Sequence, residues 1–368
     1  MIGRTKLAAT ASLVAMLAGG VAQAQSLAEL ETAAKAEGRL STIALPGSWC
    51  GYENVINTFK AKYPEIEYNG LNPDAGSADE LEAIRANKDN KGPQAPDVID
   101  VGLSFGPAAK DEGLTQAYKV STWDSIPDDA KDADGHWYGD YYGVMTLVVN
   151  TDLVPNVPQS FEDLLKPEYA GQVAMAGDPR ASNQAILAVM AAGIARGAEP
   201  GTAAAEAGLQ FFKELNDAGN FVPVIGKAGT LAQGTTPIVI AWDYNGLSWR
   251  DSLNGNPPVE VIVPSDASLA GVYVQAISAF APQPNAAKLW MEYLYSDEGQ
   301  LGWLAGYCHP IRFNDLVEKG AVPQELLDKL PPAEGYAKAV FPSLDAVNAN
   351  SDAVKAGWDS VVGADVVQ

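Results

Sequence analysis

Two apolar runs, 142-YGVMTLVVNTD-152 and 271-GVYVQAISAF-280, set the strongest constraint on the fold. Each exceeds the roughly 5–6 residues of an ordinary strand, so each is long enough to leave one packed layer and enter another. Around them, short strand patterns alternate with helical ones, the arrangement expected of α/β architecture with a mainly parallel sheet. Two long strands bracketing one block predict two lobes joined by a two-strand hinge. The 368-residue length agrees, because single cores stop growing at about 250–300 residues.

Before the first long run, "SLAELETAAKAEG" reads as a helix with a Ser cap that stops at Gly38, and "RLSTIAL" as a strand. "YENVINTFKAKYP" follows as a helix, "EIEYNGL" as a strand, "SADELEAIRANKDN" as a helix, "PDVIDVGL" as a buried strand and "PAAKDEG" as a helix. Between the long runs come "SFEDLLKPEYAG", a short helix broken at Pro167, then the strand "QVAMAGDP" and the helix "SNQAILAVMAAGIARG". "AAAEAGLQFFKELNDAG" is helical, and the strand "TPIVIAW" runs into 242-WDYNGLSWRD-251. Ligands of such sheets sit beyond the carboxyl ends of strands, which singles out the loops 46-PGSWCGY-52 and 103-LSFG-106.

Residues 1–24 read as an export signal: Arg4 and Lys6 precede an apolar stretch that ends at the small-residue site Ala22-Gln23-Ala24, so the mature chain is expected to begin at Gln25. No later segment approaches the roughly 18–20 apolar residues of a membrane span. With 24 Lys plus Arg against 46 Asp plus Glu, the formal charge is −22. Losing Arg4 and Lys6 makes it more negative still, which argues against nucleic acid and anionic membranes as partners. Cys50 and Cys308 are the two cysteines. In an oxidising compartment such a pair favours a disulfide, the alternative being two buried thiols. Neither His136 nor His309 stands at ligand spacing from a cysteine, so no metal and no cofactor is expected.

The run 159-QSFEDLLKPEYAGQVAMAGDPRAS-182, with "FKAKYPEIE", "APDVIDVG", "YYGVMTLVVNTD" and "PNAAKLWMEYLYSDEGQ", resembles the family 1 extracellular solute-binding proteins of bacterial ABC importers. Within that family it is most similar to the branch with polyamine-, γ-aminobutyrate- and ferric-ion-binding members. The resemblance spans the mature chain. It implies the type II periplasmic binding protein fold, in which two α/β lobes enclose a small solute and deliver it to a membrane permease, and it implies a periplasmic, monomeric receptor without enzymatic activity. The expected division is 25–145 for the first lobe, 146–272 for the second, and 273–368 for the rest of the first with C-terminal helices.

On that fold the end of "TPIVIAW" is expected to face the cleft, where Trp242 would offer a ring face to an ammonium and Asp243 a counter-charge. The bland reading has Trp242 in the core and Asp243 capping the next helix. Trp49 and Tyr52 match the spacing of two stacking aromatics in polyamine binders. Ser104 and Phe105 fall where the family places a hydroxyl and an aromatic. In the second long strand the polyamine pattern of aromatic, spacer and carboxylate becomes Tyr273 and Gln275, which removes one anionic contact. Arg180 and Ser182 stand just ahead of a helix and could grip an anion, unless Arg180 pairs with Asp178. Together these residues predict a small amine-bearing solute: polyamine-like, an ω-amino acid or a related zwitterion.

Three other functions have footholds. Ferric-ion binders carry two adjacent tyrosines near the place of "WDYN"; here that place has Tyr244 alone, and the adjacent pair Tyr141-Tyr142 heads the first long strand, where hinge packing is expected. The segment 102-GLSFG-106 matches the G-x-S-x-G elbow of serine hydrolases, with Ser104 as nucleophile and only His136 or His309 as base. The acidic run 128-DDAKDADG-135 lacks the spacing and closing Glu of a calcium loop.

Overall fold

The structure, a computed structural model, describes residues 26–328 and 338–367; the expected export signal lies outside them. Helix α1 (Leu27–Glu37) starts where the Ser26 hydroxyl accepts the Glu29 N–H and the Glu29 carboxylate returns to the Ser26 N–H. It stops at Gly38, whose φ of 72° lies in the left-handed region. The first lobe continues through β1 (Arg39–Ile43), α2 (Tyr52–Lys62), β2 (Glu67–Leu71), α3 (Ser77–Ala86), β3 (Val98–Gly102), α4 (Phe105–Asp111) and β4 (Thr115–Gln116). Strand β5 (Tyr138–Asn150) then leads to the second lobe: β6 (Val173–Met175), α5 (Asn183–Ala195), α6 (Thr202–Asp217), α7 (Ala228–Ala232), β7 (Ile238–Trp242), α8 (Asp243–Leu253) and β8 (Val259–Ile262). Strand β9 (Ala270–Ser278) returns to α9 (Pro284–Leu294), α10 (Asp297–Ala305) and β10 (His309–Pro310).

The first long run does cross. From Tyr138 to Val144, β5 pairs antiparallel with β9; from Met145 onward it pairs with β7 and β8. One continuous strand is thus shared by both lobes, and β9 joins it to β3, giving the order β3-β9-β5-β7-β6. The expectation of a mainly parallel sheet needs correction. Only β1 with β2 and β6 with β7 are parallel among the described ladders. The crossing strands run outward and back, so their partners are met antiparallel. The last helix, Leu344–Val361, packs on α5 and α6, and the Ile225 N–H donates to the Val367 carbonyl. The chain end therefore lies against the second lobe; the expected division grouped 273–368 as the second part of the first lobe with C-terminal helices.

Cys50 and Cys308 are bonded, with Cα atoms 5.3 Å apart. The bond ties the loop after β1 to the segment that enters β10. Closing a loop of 258 residues removes much denatured-state freedom. Reduction should therefore lower stability by about 2–5 kcal/mol, as melting with and without reductant would show. Thiol titration of the denatured, unreduced protein should find no free thiol.

Candidate functional site

A cavity of about 580 Å³ lies between the lobes. The first lobe contributes Ser48 and Trp49 from the loop after β1, Gly76, Ser77 and Glu80 from the start of α3, and Asp100 from β3. The second contributes Gly177 and Ser182–Gln184 ahead of and into α5, Gly226–Gly229 around the start of α7, and Asn245, Ser248 and Trp249 from α8. Tyr273 enters from β9. Loops leaving strand ends and entering helices build both walls, so the site sits where this class of sheet places its ligands.

A run of buried acids underlies the first-lobe wall. Asp100 Oδ2 accepts the Tyr52 hydroxyl at 2.6 Å and the Tyr141 hydroxyl at 2.8 Å, while its Oδ1 is buried with no hydrogen-bond partner. The Asp100 N–H donates to Glu80 Oε2 at 2.9 Å. Deeper, Gln275 Nε2 donates to both the Tyr52 hydroxyl and Asp140 Oδ2, each at 2.8 Å. Glu80, Asp100 and Asp140 are 1%, 5% and 0% exposed, and no ion pair among the described residues includes any of them. Three carboxylates out of water without a cation cannot all stay ionised cheaply. Burial raises the Asp100 carboxyl to about 7 against the lowering pull of its two tyrosine hydrogen bonds. Burial also holds Glu80 and Asp140 well above the usual carboxylate range, Asp100 adding repulsion to each.

Aromatic rings stand beside Asp100. The Trp49 indole donates to the Tyr141 hydroxyl at 2.7 Å and meets Tyr244 and Tyr273 edge-on, with centroids 5.2 and 5.4 Å away. At the rim, the Lys227 ammonium of the second lobe lies 3.8 Å from Asp74 of the first.

Of the residues singled out in the sequence, Trp49, Ser182 and Tyr273 line the cavity. Tyr52 and Gln275 lie behind it, within the acid network. Trp242 and Asp243 are fully buried beneath the hinge. The Trp242 N–H donates to Gln184 and its ring occupies the space over Gly271, where an added Cβ would come within 2.2 Å. Asp243 is the first residue of α8, and its Oδ1 accepts the Val144 N–H of the crossing strand at 2.9 Å. Both are committed to joining β7, α8 and the hinge, so the cation pair expected there does not form at the cavity wall. Arg180 is likewise turned away, gripping Asp178 with Nε and Nη2 and reaching Asp365 at 2.9 Å. Phe105 is buried under the Lys355 ammonium, 4.2 Å from the ring centroid, and neither it nor Ser104 lines the cavity. Tyr141 and Tyr142 point to opposite faces of β5: Tyr141 enters the acid network, and Tyr142 stacks on His309 at 4.9 Å. His136 contacts Thr115 rather than Ser104.

Asp100, Glu80, Asn183 and Lys227 were not singled out. Asp100 had left a signal, a carboxylate in the middle of the otherwise apolar "VIDVG" strand, where burial on both faces leaves a charge no route to water.

Residues 94–334 match the family model described as bacterial extracellular solute-binding protein. The chain belongs to that family. Solved structures with the same fold include the periplasmic binding protein AfuA from Actinobacillus pleuropneumoniae with exogenous fructose-6-phosphate bound (22% identity, TM-score 0.67, covering 89% of this chain and 99% of that one). The binding protein AgtB from A. tumefaciens R10 in complex with agropinic acid matches at 17% identity and TM-score 0.67, over 89% and 99% of the two chains. Iron-bound HitA from Pseudomonas aeruginosa matches at 16% identity and TM-score 0.61, over 86% and 97%. As an extracellular solute-binding protein of ABC importers, this chain binds a small molecule and presents it to a permease from the periplasm; its family and fold are non-enzymatic. No helix among the described residues is long and apolar enough to cross a membrane.

Two buried acids, Asp100 of this network and Asp97, which lies outside it and accepts the Ser41 and Gln283 N–H groups, should give this solute-binding protein an inverted pH dependence. Asp97, raised to about 6 by burial, and Asp100, raised to about 7, bind protons more tightly folded than unfolded. Their contribution to the stability of the empty protein should therefore fall as pH climbs from about 4, the unfolded carboxyl value, through about 7, against the smaller opposite contribution of His309, which burial lowers to about 4. Calorimetric melting of ligand-free protein should give a higher Tm at pH 5 than at pH 8.

Proposed function

We propose that this receptor captures a small amine-bearing solute, with the ammonium group seated against Asp100. The observation that carries this reading is Asp100 in the cavity wall, its Oδ1 buried without a hydrogen-bond partner, backed by Glu80 and Asp140 and ion-paired with no protein cation among the described residues. An ammonium there supplies the missing counter-charge, and Trp49 and Tyr273 supply ring surfaces for its methylene or methyl groups. The pairing of carboxylate and aromatic expected at Trp242 and Asp243 is thus met by other residues of the same cleft. Across the cavity, the start of α5 and the Lys227 ammonium favour a polar or anionic far end, which suits an ω-amino acid or related zwitterion better than a plain dication.

The ligands named for the solved relatives, a sugar phosphate, agropinic acid and iron, span both signs of charge, so the choice rests on Asp100 rather than on them. Tyr141, Tyr142 and Tyr244 are absent from the cavity lining, which gives a ferric ion little to hold. Ligand touching both lobes binds the closed form better than the open one, and capture follows as a population shift about β5 and β9. Native mass spectrometry of protein purified without refolding should show a retained basic, nitrogen-containing compound. A retained sugar phosphate or ferric ion would overturn the amine reading.

A further inference from the structure

Outside the cavity a second contact spans the lobes. Tyr307 follows α10 in the first lobe, and its hydroxyl donates to the carboxylate of Asp251, on α8 in the second. Neither residue lines the cavity. Tyr307 holds a φ of 72°, a conformation that bulky residues rarely adopt and that persists only where the surroundings impose it. The surroundings here are explicit. Cys308, the next residue, is bonded to Cys50, which is itself at φ 51°. Gly306 and Gly51 touch so closely that a Cβ on Gly306 would lie 2.4 Å from Gly51 Cα. The disulfide and the glycine contact thus fix the loop that carries Tyr307 to the loop that carries Trp49.

We propose that Tyr307 and Asp251 form an inter-lobe latch, a ligand-independent contact that stabilises the closed form and is aimed by the Cys50–Cys308 bond. The latch rests on the reading that the two lobes close on a solute, and it does not depend on the solute being an amine. Its expected effect is on the closed population and hence on how long any ligand is held, with the cavity chemistry left unchanged.

The test needs no ligand. Asp74 and Lys227 lie 3.8 Å apart across the cleft, so a carbodiimide can join them only when the lobes are closed. Lys62 and Glu298, at 2.7 Å and both in the first lobe, give a cross-link that does not depend on closure. Both products are followed by peptide mass spectrometry at early times in the ligand-free protein. Tyr307→Phe and Asp251→Ala should each slow the 74–227 product about threefold or more, leave the 62–298 product unchanged, and give no further loss when combined, since both remove one interaction. Asp251→Asn, which keeps an acceptor oxygen, should recover part of the rate. Equal 74–227 rates in all variants, additive losses in the double variant, or no 74–227 product in the unsubstituted protein would each overturn the latch. A failure of the amine reading would leave these rates untouched.

Discussion

Asp100→Asn should weaken capture of the amine solute by about 3–5 kcal/mol, roughly 150- to 4,000-fold in Kd, because it leaves a desolvated ammonium without its partner. The substitution keeps size and shape, and its carbonyl can still accept from Tyr52 and Tyr141. The amide NH₂ then points where Oδ1 stood and repels a cation. The same change should raise the Tm of the empty protein at pH 8 by removing a buried charge, and should do little at pH 5, where the Asp100 carboxyl is already protonated. Calorimetric titration and melting separate this from a structural role, for which Asp100→Asn would lower the Tm at both pH values and leave affinity intact.

Gly102→Ala should impair closure itself. An added Cβ at Gly102, on β3 of the first lobe, would lie 2.0 Å from Cγ of Asn183, the first residue of α5 in the second. The contact crosses the cleft, so the clash is met in full only as the lobes come together. Overpacking of this kind costs about 1–3 kcal/mol, which would fall on the closed form and appear as a 5- to 150-fold loss of affinity for every ligand. The melting of the empty protein, which can relieve the clash by opening, should change less than the affinity does. Small-angle scattering with saturating ligand should show incomplete compaction, and Asn183→Gly in the same chain should restore it. Full closure of Gly102→Ala at unchanged affinity would mean that Asn183 does not pack against β3 in the bound state.

Much of the fold was legible because its signals are local. The Ser26–Glu29 capping box, the stop at Gly38 and the long apolar run of β5 each specify their element without tertiary help. Pairing direction was not legible, because β5 turns antiparallel only through partners far away in the chain, from Val149 with Ile238 to Met145 with Trp242. Of the cavity-lining residues, Trp49 was singled out by strand-end position and Tyr273 by the resemblance to polyamine binders, but strand-end reasoning also sent Trp242 and Asp243 to the cleft. It could not tell which face of a strand end is turned to the ligand and which to the hinge. What decides that for Asp243 is the Val144 N–H, a long-range partner with no trace in the local sequence. Asp100 was readable in principle as a charge in a buried strand, yet an acid there has two solutions, a protein cation or a ligand, and only the assembled structure supplies the list of neighbours. Arg180 shows the converse, since the acid that claims it, Asp178, stands two residues away and was visible as the competitor.

The central claim, that an ammonium group meets the Asp100 carboxylate in the closed cleft, is tested most directly by titration calorimetry of ligand-stripped protein at pH 7 in two buffers of different ionisation heat. The panel comprises polyamines, ω-amino acids, quaternary amines and sugar phosphates. The account predicts that a cationic amine binds with release of a proton from the Asp100 network, that its affinity rises between pH 6 and pH 8, and that both effects vanish in Asp100→Asn. Tight binding of a neutral or purely anionic solute, with equal heats in both buffers and no loss in Asp100→Asn, would contradict it.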